Sequence, residues 1–87
     1  MNGPSETAAV EERVTSVVAD LFGEDEARIQ RSTRFVSDLD ANPVEFVALL
    51  GALERELGVR VPAAELRERE TVGATVDWIR AELGDSN

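Results

Sequence analysis

The sequence predicts a small all-α protein, a four-helix bundle with three main helices, one short helix and a long loop between the first two main helices. Its 87 residues suffice for one core, apolar residues recur at helical spacing in three segments, and no segment alternates as a strand would. We expect a single domain over residues 7–84, with flexible tails over residues 1–6 and 85–87.

The first helix is predicted to begin at about Thr7, because the polar residues before it include Gly3 and Pro4. Gly23 follows as the residue that ends the helix. The apolar residues of this segment have the relative positions 0, 4, 7, 8 and 11, which fit one helix face: Val10, Val14, Val17, Val18 and Leu21.

The second helix has a strong start signal in Asn42 as N-cap, Pro43 at the first helical position and Glu45 close behind. Proline also favours the extended backbone that an N-cap residue needs before it. Gly58 is predicted to end this helix. Its core face contains Phe46, Leu49, Leu50, Leu53 and Leu57.

Residues 23–41 show no sustained periodicity and are predicted to form a long loop. Four apolar side chains are candidates for anchoring this loop on the core: Ile29, Phe35, Val36 and Leu39.

A short third helix is predicted to begin at Pro62, and Thr71 is the predicted N-cap of the last helix. Trp78 lies one residue off the apolar face of that helix, so we expect a partly buried packing role for it. The apolar face itself consists of Val72, Val76, Ile79 and Leu83.

The composition excludes several kinds of chemistry. There is no cysteine and no histidine, so disulfides, thiolate nucleophiles, imidazole bases and the usual zinc sites are excluded. The 18 acidic and 9 basic residues give a net charge of −9, which disfavours nucleic acid and anionic membranes as partners. Because no signal peptide or membrane-spanning stretch is recognisable, we expect a cytoplasmic protein. We also expect a monomer.

The sequence predicts neither a metal site nor an acid–base site. Asp38, Asp40 and Asn42 alternate like the first ligands of an EF-hand loop, but Pro43 stands where glycine is needed and Leu49 where the bidentate glutamate is needed. The remaining acidic runs alternate with arginine, as on ordinary helix surfaces. We therefore expect no metal ligands, no catalytic residues and no enzymatic activity.

The second helix has an unusual outer side, since its residues opposite the core face are apolar or small rather than charged. Two interpretations are open: approach of a partner surface, favoured by a helix-interior glycine at position 51, or packing of the long loop against this side. The candidate partner-binding residues are Asn42, Val44, Glu45, Val47, Ala48, Gly51, Glu54 and Arg55.

From Val10 to Leu83 the chain resembles an acyl carrier protein. "VEERVTSVVADLFG" is similar to the family's first helix, and "EFVALLGALERELGVRVP" to its second helix and the link that follows. "TVGATVDWI" is similar to the last helix, and "STRFVSDLDA" to the loop usually written F-x-x-D-L-G-x-D-S-L. The resemblance implies the four-helix carrier fold and biosynthetic enzymes as partners.

The resemblance also implies a cofactor site, and there this sequence departs from the family. The family carries 4′-phosphopantetheine on a serine at the first position of the second helix, within Asp-Ser-Leu. Asn42-Pro43-Val44 occupies those places, and proline has no hydroxyl to esterify. We therefore expect no bound cofactor.

Three hypotheses follow for the function. The first is a carrier-like interaction or regulatory module of fatty-acid or polyketide-type biosynthesis, which binds enzymes with a basic or mixed docking surface. The second is a working carrier that is modified at another hydroxyl such as Ser37. The third is an unrelated small helical enzyme or metal-binding protein.

Overall fold

Four α-helices and one 3-10 turn make up a computed structural model of the chain, which describes residues 3–84, with side chains from residue 9 onward. The helices are α1 (Gly3–Phe22), α2 (Pro43–Leu57), α3 (Ala63–Arg69) and α4 (Val72–Glu82), and the 3-10 turn is Glu26–Arg28. The described residues contain no strand, only one isolated antiparallel bridge between Arg34 and Thr71. The predicted all-α four-helix bundle is confirmed.

The start of α1 differs from the prediction. The helix begins at Gly3 and not at about Thr7, so it includes residues 3–6 of the predicted tail. Residues 1–2 and 85–87 lie outside the described residues. Pro4 explains the difference, because proline is readily accommodated in the first turn of a helix, where its missing N–H is not needed.

The predicted helix ends are confirmed at the other main boundaries. α1 ends before Gly23, and α2 ends at Gly58, whose φ of 68° is left-handed. Thr71 caps α4, since its side chain accepts a hydrogen bond from the Ala74 N–H at 3.2 Å. These local signals fix where each helix begins and ends.

One core joins all four helices and the long loop. α1 packs against α2 and α4, and α3 also packs against α2 and α4. The buried apolar residues are Val10, Val14, Val18, Ala19, Ile29, Phe35, Leu49, Leu53, Val61, Leu66, Val72, Val76 and Ile79. No helix of the described residues combines the length and apolar character needed to cross a membrane.

Three of the four predicted loop anchors contact the core. Ile29 and Phe35 are buried and Leu39 is partly buried, whereas Val36 is 61% exposed. Val36 is therefore not an anchor, because its side chain, which follows Phe35 in the turn, points to solvent. Leu83, predicted on the core face of α4, is 43% exposed because it stands past the end of the helix, while Trp78 is partly buried as predicted.

The loop is held by backbone hydrogen bonds to the connection between α3 and α4 and to the first two residues of α4. The N–H of Phe35 donates to the carbonyl oxygen of Glu70 at 3.0 Å, and the N–H of Val72 donates to that of Thr33 at 3.0 Å. The Gly73 N–H donates to the Arg31 carbonyl oxygen at 2.9 Å. We call this pairing of residues 31–35 with residues 70–73 the loop seam.

Arg31 ties the loop seam to two helices. Its guanidinium bonds the Asp77 carboxylate of α4 at 2.7 Å and the Glu11 carboxylate of α1 at 3.3 Å. The hydrogen bond to Asp77 raises the pKa of Arg31 above its ordinary value. The close approach requires glycine at position 73, where an added Cβ would lie 2.9 Å from the Arg31 Cβ and 3.0 Å from its carbonyl oxygen.

Substituting Gly73→Ala is expected to lower the free energy of unfolding by about 1–3 kcal/mol, because the added methyl group meets backbone that cannot move freely. Gly51→Ala is the matched control, since its Cβ would have only Arg55 Nη1 nearby, at 3.9 Å. That control should gain up to about 1 kcal/mol from helix propensity. Urea unfolding of both variants measures the effects, and an equal gain in both would contradict the seam geometry.

Candidate functional site at the start of the second helix

The start of α2 is a complete capping box. Asn42 has extended backbone (φ −101°, ψ 171°), and its Oδ1 accepts a hydrogen bond from the Glu45 N–H at 2.8 Å. In return, the Glu45 carboxylate accepts the Asn42 N–H at 3.0 Å. The predicted N-cap is confirmed, and the two reciprocal bonds satisfy donors that a helix start otherwise leaves free.

Pro43 is the first residue of α2 and is exposed. The first backbone bond of the helix runs from the Phe46 N–H to the Asn42 carbonyl oxygen at 3.0 Å, so the missing N–H of Pro43 leaves no acceptor unsatisfied. Position 43 is thus open to solvent at a fixed helix entrance, but its side chain holds neither a nucleophile nor an attachment atom.

The acidic loop before this entrance uses its polar side chains internally. The Asp38 carboxylate accepts the Arg34 N–H at 2.7 Å, and Asn42 Oδ1 is engaged by Glu45. Asp40 has a left-handed φ of 58° and turns the chain toward α2. Asp38 and Asn42, two of the three residues that alternate like EF-hand ligands, therefore accept hydrogen bonds from the backbone of the turn and of the helix start. This is the ordinary role of Asp and Asn in such positions.

The outer side of α2 is apolar where the sequence predicted it to be. Val44 is 76% exposed and Val47 is 69% exposed, and Ala48 and Arg55 are also exposed. Gly51 is half-buried, yet no loop atom lies within 4 Å of where its Cβ would stand. The interpretation that the long loop packs against Gly51 is therefore wrong.

The two acidic residues of this side both have structural partners. Glu45 completes the capping box, and the Glu54 carboxylate accepts the Val61 N–H at 2.8 Å, which holds the link to α3 against α2. These bonds leave the apolar side chains and Arg55 as the most accessible part of the predicted partner-binding set.

Beside the entrance lies an open groove of about 310 Å³, which the sequence did not predict. The exposed hydroxyl of Ser37 is on its wall, six residues before Pro43. The groove is lined by Arg34, Val36, Ser37, Phe46, Arg67 and Glu70. Arg34 and Arg67 are far apart in the sequence, so only the folded chain brings them together.

A four-helix bundle with a long first loop and an exposed, capped start of its second helix is the architecture of a small carrier domain. The comparison with known families agrees with this architecture. Residues 12–79, well over half of the chain, match the family described as "Phosphopantetheine attachment site". The chain belongs to this family and is an acyl-carrier-like protein.

The capping box generates a prediction for stability. Asn42→Ala removes the acceptor for the Glu45 N–H and should lower the free energy of unfolding by about 1 kcal/mol, measured by urea unfolding. Asn42→Asp keeps an acceptor oxygen and should change stability by only a few tenths of that amount. Equal losses of unfolding free energy in both variants would show that the acceptor oxygen at position 42 does not stabilise the helix start.

Proposed function

We propose that this protein is an acyl-carrier-like module of fatty-acid or polyketide-type biosynthesis that acts through non-covalent binding and carries no 4′-phosphopantetheine. The observation that carries the proposal is Pro43 at the first position of α2, in a family defined by the attachment of that arm. Attachment forms a phosphodiester through a side-chain oxygen, and proline has none.

The assignment of Pro43 to the attachment position rests on its place in the motif and in the helix. Asn42-Pro43-Val44 stands where the family has Asp-Ser-Leu. The family motif begins here at Phe35, and Pro43 lies eight residues after it. Both signals select the same residue, because the attachment serine is the first residue of the second helix in the family and Pro43 is the first residue of α2 here.

The intact start of α2 supports a protein that still binds its partners. Both bonds of the capping box are formed, and Pro43 suits the first helical position. Where its φ is compatible, proline stabilises the folded state by about 0.4–1 kcal/mol through the unfolded chain. The substitution thus removes the attachment chemistry without weakening the helix that partner enzymes of this family meet.

The outer side of α2 supports partners with a mixed surface. Exposed Val44 and Val47 offer apolar contacts, and Arg55 adds a positive charge beside the acidic residues of the chain. Exposed apolar side chains in one patch are a common mark of a protein-binding surface. We therefore propose this side as the docking surface and a binding role without catalysis, with contacts from Asn42, Val44, Glu45, Val47, Ala48, Gly51, Glu54 and Arg55.

A carrier modified at Ser37 is the second candidate, since that hydroxyl is exposed. Ser37 lies in a turn rather than at a helix start, so a transferase would meet a differently shaped backbone there. Covalent transfer depends strongly on such positioning, which favours the first candidate.

The decisive prediction concerns covalent modification. After incubation with a broad-specificity phosphopantetheinyl transferase and coenzyme A, the wild-type protein should keep its mass, whereas Pro43→Ser should gain one phosphopantetheine group. Pro43→Ala is the matched control, because it changes the backbone in the same way without a hydroxyl. Intact-mass spectrometry reads all three proteins.

Each alternative outcome has its own meaning. A mass gain by the wild-type protein would overturn the proposal, and its loss in Ser37→Ala would assign the arm to that hydroxyl. A gain by Pro43→Ala would likewise place the arm at another residue. If Pro43→Ser gained nothing, position 43 would not be a transferase-competent entrance.

A further prediction concerns docking. Val47→Asp and Ala48→Lys should each abolish retention of the biosynthetic enzymes that wild-type protein captures from its native host, because both place charge in the apolar patch. Ala81→Lys is the control, since it adds the same charge to an exposed position of α4. Quantitative mass spectrometry of the captured proteins measures retention, and unchanged retention by both α2 variants would exclude this docking surface.

A further inference from the structure

We propose that the protein partner of the outer side of α2 has an acidic contact surface, with a carboxylate that pairs with Arg55 beside Gly51. Apolar side chains of the same partner cover Val44 and Val47. This inference rests on the proposed function and deepens it, because it assigns the sign of the charge that the docking surface recognises. Arg55 is then the residue that determines the specificity of docking.

The side chain of Arg55 lies against Gly51. A Cβ built at Gly51 would have Arg55 Nη1 at 3.9 Å as its one neighbour within 4 Å, apart from the adjoining residues and the helix backbone. Residues four positions apart are neighbours on a helix, and helical side chains lean toward the N-terminus. The guanidinium therefore stands about one turn before its own Cα, next to the exposed apolar side chains and not beyond the end of α2.

Arg55 is the charged residue of this side whose side chain has no bonded partner. It is exposed, and within the described residues its guanidinium forms no hydrogen bond or ion pair. By contrast, the carboxylates of Glu45 and Glu54 are both hydrogen-bonded to backbone N–H groups. A partner that approaches this side therefore meets a cation with free donors, whereas the nearby carboxylates already hold the protein's own backbone.

A second arginine lies beside the same valines. Arg67 of α3 is exposed and lines a small cavity together with Val47. In the described part of the chain its guanidinium is also unpaired, whereas that of Arg69 is bonded to Glu65. A planar guanidinium binds a carboxylate through two parallel hydrogen bonds, so these two arginines favour an acidic surface opposite them.

The net charge of −9 does not determine the charge that this surface attracts at contact. At physiological ionic strength the Debye length is about 8 Å, so charges farther away than this are largely screened. The molecule measures 38 × 27 × 20 Å, and most of its carboxylates therefore lie beyond that distance. Once a partner is in contact, the arginines nearest to it determine whether its charge is attracted or repelled.

The exposed valines add an apolar requirement. Val44 is 76% exposed and Val47 is 69% exposed. A purely polar segment would leave both valines in water, and a purely apolar segment would bury Arg55 without an acceptor, which is costly. A partner surface with both carboxylates and apolar side chains satisfies the two requirements together.

A second copy of this chain fits less well than a different protein. In a symmetric contact each copy would offer the other the same side of α2, whose own carboxylates, Glu45 and Glu54, are already hydrogen-bonded to backbone. The carboxylate that Arg55 lacks is therefore expected on another protein.

The test measures how the charge at position 55 changes the retention of biosynthetic enzymes from the native host. Arg55→Glu should lower retention by at least about tenfold and Arg55→Gln by about threefold, because like charges then face each other or the ion pair is lost. A basic partner surface predicts the opposite sign, since Arg55→Glu would then add a favourable pair. Quantitative mass spectrometry measures retention, and circular dichroism reports whether each variant is folded.

Arg28→Glu is the matched control. It makes the same change of charge at an exposed arginine of the 3-10 turn, which packs against α1. Because Arg28 is not part of the docking surface, this variant should retain the enzymes as the wild-type protein does.

A cross-link identifies the partner's group directly. The chain contains no lysine, so Arg55→Lys introduces its single side-chain amine. A carbodiimide activates a carboxylate, and the amine then displaces the activating group to form an amide without a spacer. Mass spectrometry of the linked peptides should join position 55 to an aspartate or glutamate of a retained enzyme, whereas Arg28→Lys should give no such link.

The outcomes separate this inference from the proposed function. Val47→Asp and Ala48→Lys add opposite charges to one surface, so a loss of retention in both reports docking itself, whatever the partner's charge. If neither variant loses retention, the docking surface fails and this inference fails with it. If both lose retention while Arg55→Glu binds as well as the wild-type protein or better, the docking surface stands and an acidic partner is excluded.

Two further results would overturn the inference. An equal loss of retention in Arg28→Glu would show a general effect of net charge and not a contact at Arg55. A cross-link from position 55 to a carboxylate of another copy of this chain would assign the surface to self-association.

Discussion

The loop seam is the constraint on which the rest of the molecule depends. Residues 23–41 contain only one short 3-10 turn, and fixing so long a segment costs much conformational entropy. Three backbone bonds to residues 70–73, together with buried Ile29 and Phe35, offset that cost. The same segment also contacts α2, since Phe35 packs edge-to-face on Phe46.

The entrance of α2 thus receives its position and its shape from different sources. The loop seam supplies the position through long-range contacts, while the capping box supplies the shape from Asn42 and Glu45 alone. Pro43 contributes only a φ that is compatible with the helix, both to the position and to the shape of the helix start. This division explains how position 43 can hold a proline while the surrounding structure remains intact.

The features of the fold that could be predicted from the sequence are those that depend on residues close together in the chain. The caps Asn42 and Thr71 and the apolar faces of the helices depend on spacings of one to four residues, and the structure contains them as predicted. The start of α1 was misplaced because Gly3 and Pro4 indicate a loop as readily as a helix start. Local pattern alone does not separate these two readings.

The groove and the seam escaped sequence reasoning for a different reason. Arg34 and Arg67 belong to segments that only tertiary packing brings together, and the burial of Phe35 but not Val36 depends on the turn between them. Gly73 was the one available signal, since a glycine in the first turn of a helix often marks close approach of another chain segment. Its partner, Arg31, could not have been identified from the pattern.

The independence of the helix entrance from residue 43 also bears on how this protein can evolve. Every proline codon becomes a serine codon by a single base change, so a hydroxyl at the entrance is one mutation away. Because the capping box and the loop seam exist without it, that mutation would start from a folded scaffold. Under the proposed function, the gain or loss of an attachment hydroxyl thus needs one base change in a scaffold that is already folded.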